Sequence, residues 1–353
     1  MSLKYFRPNI SSLAGYTPGE QPQQGKFIKL NTNENAYPAP ESVINAIRTV
    51  DASRLARYPD PAATAFRAAA ALSLGVEADC ILCGNGSDDL LTILVRAFVG
   101  EGDAVRFSEP GYILYPTLCH IQGAVADPVR FSTDWSLDDR FSTDTEKVRL
   151  AIIANPNSPS GTVIGADQIA EFAATLPCPL VIDEAYVDFA DADVLALVTQ
   201  HPNLLVTRSL SKSYALAGLR FGYLVAQPQM VERLERVKDS YNCDTLSIVG
   251  ATAAISDQNW RDENRAKIKS TRTRMEEALT NMGFQIPPSQ ANFLWCIHPD
   301  KDAREIYDRL KRERILVRYM AYADWDDGVR ITVGTDSQVD ALLQVLPQIL
   351  AQI

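Results

Sequence analysis

The sequence predicts an α/β fold: a large domain on a mostly parallel sheet sandwiched by helices, plus a smaller α+β domain. Three observations carry this. Short, continuous apolar runs alternate with helical stretches through the middle of the chain, the pattern of strands buried on both faces. Beyond about Met230 the pattern changes to long, charged helix with isolated strand-like pieces. At 353 residues the chain exceeds what one small core usually holds.

Residues 1–40 are rich in Pro, Gly, Gln and Asn and lack periodicity, so they read as an N-terminal arm packing with the smaller domain. A helix is expected over Ser42–Val50, then a turn at Arg57-Tyr58-Pro59-Asp60-Pro61, then an alanine-rich helix over Ala62–Leu74. Strands are expected at Cys80–Cys83, Ala104–Phe107, Val148–Ala154, Leu180–Ile182, Leu204–Thr207 and Gly222–Val225. Helical segments at Asp88–Val99, Tyr112–Gln122 and Ala166–Leu176 separate them. These elements make residues 41–237 the large domain. Residues 238–353 form the small one, with a helical stretch from Met230 to Ala278 leading in and strands at Phe293–Ile297, Ile315–Arg318 and Val329–Val333.

Composition excludes several classes. The formal net charge of −10, from 34 basic and 44 acidic residues, disfavours nucleic acid and anionic membranes as partners. No apolar run reaches the roughly 20 residues of a membrane span, and Met1–Ile10 does not resemble a secretory leader, so a cytoplasmic location is expected. Six scattered cysteines read as thiols of a reducing compartment, and three separated histidines give no zinc pattern, so no metal is expected.

In an open α/β sheet, ligands bind beyond the carboxyl ends of the strands. Four such ends carry chemistry. Gly84-Asn85-Gly86-Ser87-Asp88 is a glycine-rich strand-to-helix turn, able to present amides to a phosphate or simply to turn and cap. Asn157-Ser158-Pro159-Ser160-Gly161 is a rigid turn displaying polar side chains. Asp183-Glu184-Ala185-Tyr186 ends an apolar strand with a carboxylate, which needs a cation if buried, and a phenol. Ser209-Leu210-Ser211-Lys212 with Gly218-Leu219-Arg220 brings hydroxyls, one lysine and one arginine together. Pyridoxal phosphate needs a lysine for imine formation, an anion site and a carboxylate at its ring nitrogen, and each part stands at a successive strand end.

At these residues the chain resembles the fold-type I aminotransferases, specifically the histidinol-phosphate aminotransferase family. The likeness runs from Leu13-Ala14-Gly15-Tyr16-Thr17-Pro18-Gly19 and Leu30-Asn31-Thr32-Asn33-Glu34-Asn35 to Val329-Arg330-Ile331-Thr332-Val333-Gly334-Thr335. It implies a homodimeric enzyme using pyridoxal 5′-phosphate to transaminate L-histidinol phosphate with 2-oxoglutarate in histidine biosynthesis. An aromatic-amino-acid aminotransferase or a threonine-phosphate decarboxylase could stand on the same cofactor site. Lys212 is implied as the cofactor-bearing lysine and proton carrier, Asp183 as partner of the ring nitrogen, Tyr186 as partner of the ring oxygen, and Tyr112 as the stacked aromatic. Gly86, Ser87, Asp88, Ser209, Ser211 and Arg220 are implied around the phosphate, with Tyr58 reaching it from the neighbouring subunit. Tyr16, Asn33, Arg318 and Arg330 are implied in substrate binding. The family has an asparagine before the proline where this chain has Ser158, so either Asn157 or Ser158 takes the contact to the ring oxygen. Imidazole against phenyl selectivity is not fixed by these motifs.

Overall fold

The apolar runs in the middle of the chain become one seven-stranded sheet. The computed structural model describes residues 5–13, 19–21, 25–322 and 325–353. Ahead of the sheet come α1 (Pro8–Ser11), the short strand β1 (Ile28–Lys29), α2 (Glu41–Arg48), α3 (Ala52–Leu55) and α4 (Thr64–Leu74). Then follow β2 (Ile81–Gly84), α5 (Ser87–Phe98), β3 (Ala104–Glu109), α6 (Leu114–Gln122), β4 (Val125–Arg130), β5 (Val148–Ala154), α7 (Ala166–Thr175), β6 (Leu180–Asp183), β7 (Leu204–Ser209) and β8 (Gly222–Val225). The C-terminal third runs α8 (Pro228–Leu234), α9 (Thr245–Ser256), α10 (Gln258–Asn281), β9 (Phe293–Cys296), α11 (Ala303–Arg312), β10 (Ile315–Leu316), β11 (Arg318–Met320), β12 (Gly328–Thr332) and α12 (Asp336–Leu350).

The large sheet has the order β2-β8-β7-β6-β5-β3-β4. Strands β3 to β7 pair in parallel, while β8 runs antiparallel to both β7 and β2. Successive strand residues face opposite layers, as the pleat requires. On β6, Leu180 and Ile182 join the core that holds Phe66, Phe172 and Phe221, whereas Val181 joins the core of Leu90, Leu94 and Tyr115 on the other face. The mostly parallel, helix-covered sheet expected from the sequence is therefore present.

Strand β4 has no counterpart in the sequence reading. It lies at the sheet edge, buries only Val129 and contains Pro128, so it carries neither an apolar run nor strict alternation. The long helical stretch is also not continuous. The Asp244 carboxylate caps α9 by accepting from the Leu246 and Ser247 amides at 2.8 and 3.0 Å, and Asp257 caps α10 from the Trp260 amide at 3.3 Å. Helix α9 packs on α2 and α4, placing Ile248, Ala251 and Ala254 in the large-sheet core. A boundary at residue 238 thus falls ahead of a helix that belongs with the large sheet.

A three-stranded antiparallel sheet, β11-β12-β9, packs with α10, α11 and α12 around Met275, Leu294, Ile331 and Leu342. The single strand read at Ile315–Arg318 divides in two. Ile315 and Leu316 pair in parallel with Ile28 and Lys29, and Arg318 opens β11. Leu30 follows β1 into this second core, which brings residues 31–35 over the carboxyl end of the large sheet.

Candidate active site

Several strand ends and the three-stranded sheet open onto one cavity of about 530 Å³. One end is built on glycine. Gly84 of β2 and Ser209 of β7 both pair with Gly222 of β8, in one row across the sheet. A Cβ at Gly222 would stand 2.8 Å from the Ser87 nitrogen, so only glycine lets the first turn of α5 sit this close. Gly86 has φ +84°, and a Cβ there would stand 2.8 Å from Nη2 of Arg220. The result is a cradle of the Ser87 and Asp88 region at the α5 N-terminus, the Ser209 and Ser211 hydroxyls, and the Arg220 guanidinium, all lining the cavity. Arg220 Nη1 donates to Ser211 Oγ at 3.2 Å, and Nη2 meets the Asp88 carboxylate at 3.3 Å. A helix N-terminus, hydroxyls and a guanidinium together suit a phosphate.

Asp183 forms the wall at the end of β6 and is 4% exposed. Its neighbour Glu184 takes the structural ion pair, with Arg208 Nη2 at 2.7 Å. Asp183 meets neutral donors instead: Tyr115 Oη at 2.9 Å, Thr207 Oγ1 at 3.3 Å and the Ala185 amide. Burial raises its pKa to about 6, and the nearby Asp88 carboxylate adds to the rise, while those donors oppose it. A buried carboxylate met only by neutral donors is costly, and a protonated ring nitrogen is the group that would relieve it.

Lys212 lines the same cavity. Its Nζ donates to the Thr32 carbonyl at 3.3 Å and lies 5.6 Å from the centre of the Tyr186 ring. The Tyr186 hydroxyl accepts from Asn33 Nδ2 at 3.0 Å. Asn33 has φ +55° and is fixed in turn by Thr332 and Asn292, with the Thr332 hydroxyl accepting from its amide at 3.0 Å. Tyr112 borders the cavity and donates to Asp88 Oδ1 at 3.1 Å.

The other end belongs to the three-stranded sheet. Arg318 of β11, Arg330 of β12 and Trp295 of β9 occupy one cross-strand row. Both arginines and Tyr322 line the cavity. Arg330 Nη1 donates to Ser158 Oγ at 2.9 Å, Nη2 lies 3.4 Å from the Asn31 carbonyl, and the guanidinium sits 5.2 Å from the Phe293 ring centre. Its Nε is buried without a partner among the described residues. Two guanidinium groups side by side form a receptor for a carboxylate or phosphate.

Most residues singled out in the sequence converge here: Asn33, Ser87, Asp88, Tyr112, Asp183, Tyr186, Ser209, Ser211, Lys212, Arg220, Arg318 and Arg330. Gly86 stands behind Arg220. Asn157 does not line the cavity; it is buried, and its Nδ2 donates to Pro110 O at 3.2 Å and Ser160 Oγ at 3.0 Å. The residue at the cavity wall is Ser158. Tyr58 lies outside, 80% exposed and stacked on Tyr241 with ring centres 4.5 Å apart. Tyr16 lies outside the described residues. Sequence reasoning assigned no role to Tyr115, Thr207, Asn31 or Tyr322. The hydroxyl three residues after Tyr112 was the available signal for Tyr115; Thr207 gains its place by pairing with Asp183, and Asn31 and Tyr322 by following β1 and β11.

Comparison with known proteins agrees with this geometry. The family model for aminotransferase class I and II matches residues 25–346. A histidinol-phosphate aminotransferase of Rhodopirellula baltica is 52% identical over 342 residues, spanning 97% of this chain and 94% of its own. Histidinol-phosphate aminotransferase 1 of Nostoc sp. is 43% identical over 349 residues, spanning 98% of each. The crystal structure of histidinol-phosphate aminotransferase from Sinorhizobium meliloti, in complex with pyridoxal-5′-phosphate, is similar with a TM-score of 0.91 at 29% identity over 99% of each chain.

Proposed function

Since the chain belongs to the class I and II aminotransferases, and among them to the histidinol-phosphate aminotransferases, we propose that it transaminates L-histidinol phosphate with 2-oxoglutarate, giving imidazole acetol phosphate and L-glutamate. The single observation that carries this reading is the shared cavity. It has an amine (Lys212) and a cation-seeking carboxylate (Asp183) between a phosphate cradle and a pair of arginines.

The residues fit pyridoxal phosphate. Its phosphate would meet the amides of Ser87 and Asp88, the Ser209 and Ser211 hydroxyls and Arg220. Asp183 would face the ring nitrogen, Tyr186 the ring oxygen, and Tyr112 a ring face. When bound, the cofactor supplies an electron sink that eases loss of a proton from the substrate carbon bearing nitrogen. Tyr115, Thr207 and the Ala185 amide hold the Asp183 carboxylate in place, so the charge it presents is already oriented. Asn33 orients the Tyr186 phenol in the same way. Lys212 Nζ takes the proton from the substrate Cα and is the group that returns one during the exchange.

Arg330, braced by Ser158, orients the substrate anion, with Arg318 beside it on the next strand. One receptor serves both half-reactions: the phosphate of histidinol phosphate in one, the α-carboxylate of glutamate in the other. Asn157 faces Pro110, whereas Ser158 only accepts from Arg330 and keeps its O–H as a donor, so the ring oxygen would be met by Tyr186, with Ser158 also able to donate to it.

The same reading makes the enzyme a cytoplasmic homodimer, with Tyr58 completing the phosphate site of the neighbouring subunit. Its large exposed ring outside its own cavity supports that role. The reading keeps residues 41 onward as the cofactor domain and starts the small domain after α9, where the core changes. Coupled assays decide the substrate. Glutamate formation from histidinol phosphate and 2-oxoglutarate is expected. Turnover of phenylalanine or threonine phosphate with none of histidinol phosphate would overturn the assignment.

A further inference from the structure

Lys212 sits on an irregular stretch, residues 210–216, between β7 and a single turn at Ala217–Leu219. No ladder or helix fixes it, so its position depends on individual bonds. Leu210 donates to the Phe221 carbonyl and Leu216 to the Leu210 carbonyl, both at 3.0 Å, and the Ser213 hydroxyl donates to Asp188. The Lys212 carbonyl accepts from the Ala215 amide of the same loop at 3.3 Å and is also met from outside the large sheet. Asn35 Nδ2 lies 2.8 Å from the Lys212 carbonyl, 3.1 Å from the Ser213 carbonyl and 2.9 Å from Oδ1 of the buried Asn264 on α10.

The orientation of this amide is over-determined. Its nitrogen faces two carbonyls that can only accept, and its oxygen accepts from the Tyr37 amide at 3.0 Å. Two residues earlier the same segment reaches Tyr186 through Asn33, and Thr32 O receives Lys212 Nζ. We propose that Asn35 is a positioning residue for Lys212. Braced by Asn264, it sets the height of the amine against the cavity through the backbone carbonyl of the lysine. A bland tether for residues 31–35 would fill the same space, but would not need two N–H donors.

This rests on Lys212 as the cofactor-bearing lysine, which Lys212→Ala tests separately. If that variant keeps the wild-type visible absorbance of the bound cofactor, the function reading falls first. Otherwise three variants test the inference on holoenzyme: Asn35→Ala, Asn35→Asp (same shape, no donors) and Asn264→Ala. Displacing a reacting group by about 1 Å costs on the order of 100-fold. Accordingly kcat should fall about 10- to 100-fold in both Asn35 variants, with KM held within about 3-fold. The pH midpoint of the cofactor's visible absorbance should move in both, and Asn264→Ala should shift both readouts the same way, less far. If Asn35→Asp matched wild type in kcat and absorbance midpoint, or if Asn35→Ala and Asn264→Ala both did, the proposal would be wrong. Should either Asn35 variant fail to fold, Asn264→Ala decides alone.

Discussion

The Tyr115 hydroxyl donates to Oδ2 of Asp183 at 2.9 Å where both side chains are buried, at 1% and 4% exposed. Burial, then the Asp183 carboxylate, push the Tyr115 phenol far above its ordinary pKa, so it stays a donor throughout the working range. Tyr115→Phe removes the donor and leaves the acid buried. A bond to a charged group contributes about 1.5–3 kcal/mol. The variant should therefore bind pyridoxal phosphate about 10- to 100-fold more weakly at neutral pH, measured by equilibrium titration of the apoenzyme. Unchanged affinity would remove Tyr115 from the cofactor site.

Asp183 also makes a prediction for the apoenzyme. Its pKa rises from an ordinary 3.8 to about 6 because the charged form is buried. Below about pH 4 the carboxyl is protonated in both folded and unfolded chains. Between about 4 and 6 the folded chain keeps a proton that the unfolded chain has lost, so stability falls as pH rises through that window. The loss is about 3 kcal/mol in total. Asp183→Asn cannot ionise, so its urea-unfolding free energy should lack this part of the slope. An identical slope in wild type and variant would show that Asp183 titrates alike in the folded and unfolded apoenzyme, with no rise from burial.

Lys212→Ala should eliminate the visible absorbance of the bound cofactor and reduce turnover by more than about 10,000-fold, since both attachment and proton transfer are lost. Retention of cofactor is expected through the phosphate cradle. Spectra and fluorescence titration of the variant check both points.

At the substrate end, Arg330→Ala removes a guanidinium braced by Ser158 and should cost about 2–5 kcal/mol in kcat/KM for histidinol phosphate and for glutamate alike. Ser158→Ala removes the brace and leaves the guanidinium. Its expected effect is about a 10-fold rise in KM for both. A loss confined to glutamate would contradict a shared receptor.

Gly86→Ala tests the cradle. The residue has φ +84°, and a new methyl would stand 2.8 Å from Arg220 Nη2. Both strain and contact push Arg220 out of place, so cofactor affinity should fall about 10-fold or more while KM for substrate holds. Wild-type affinity in the purified variant would mean that Arg220 does not hold the phosphate.

How much of this was legible in the sequence differs by element. Strands β5, β6 and β7 were readable because both faces are largely buried, which writes short apolar runs at Leu150–Ala154, Leu180–Ile182 and Leu204–Val206. β4 was not, since an edge strand with one buried residue carries no such signature. Helix α9 has small and apolar residues all round and merged with its charged neighbours, so its allegiance to the large core was hidden. The groups at strand ends, Asp183, Ser209 and Ser87, were visible because the fold class says where to look. Contacts between distant segments were not. Nothing in the neighbourhood of Ser158 announces Arg330, and nothing near Asn35 announces the Lys212 carbonyl, because those pairings exist only after two sheets have been brought together.

One reversed strand has a mechanical corollary. Because β8 runs against β7, the chain turns straight back at the rim instead of travelling under the sheet through a crossover helix. The amine of Lys212 and the guanidinium of Arg220 are thus delivered by a single excursion hung between two hydrogen-bonded neighbours. Both groups thus share one short stretch of chain, so a change in how β8 sits against β7 would reach the attachment point and the anion clamp together.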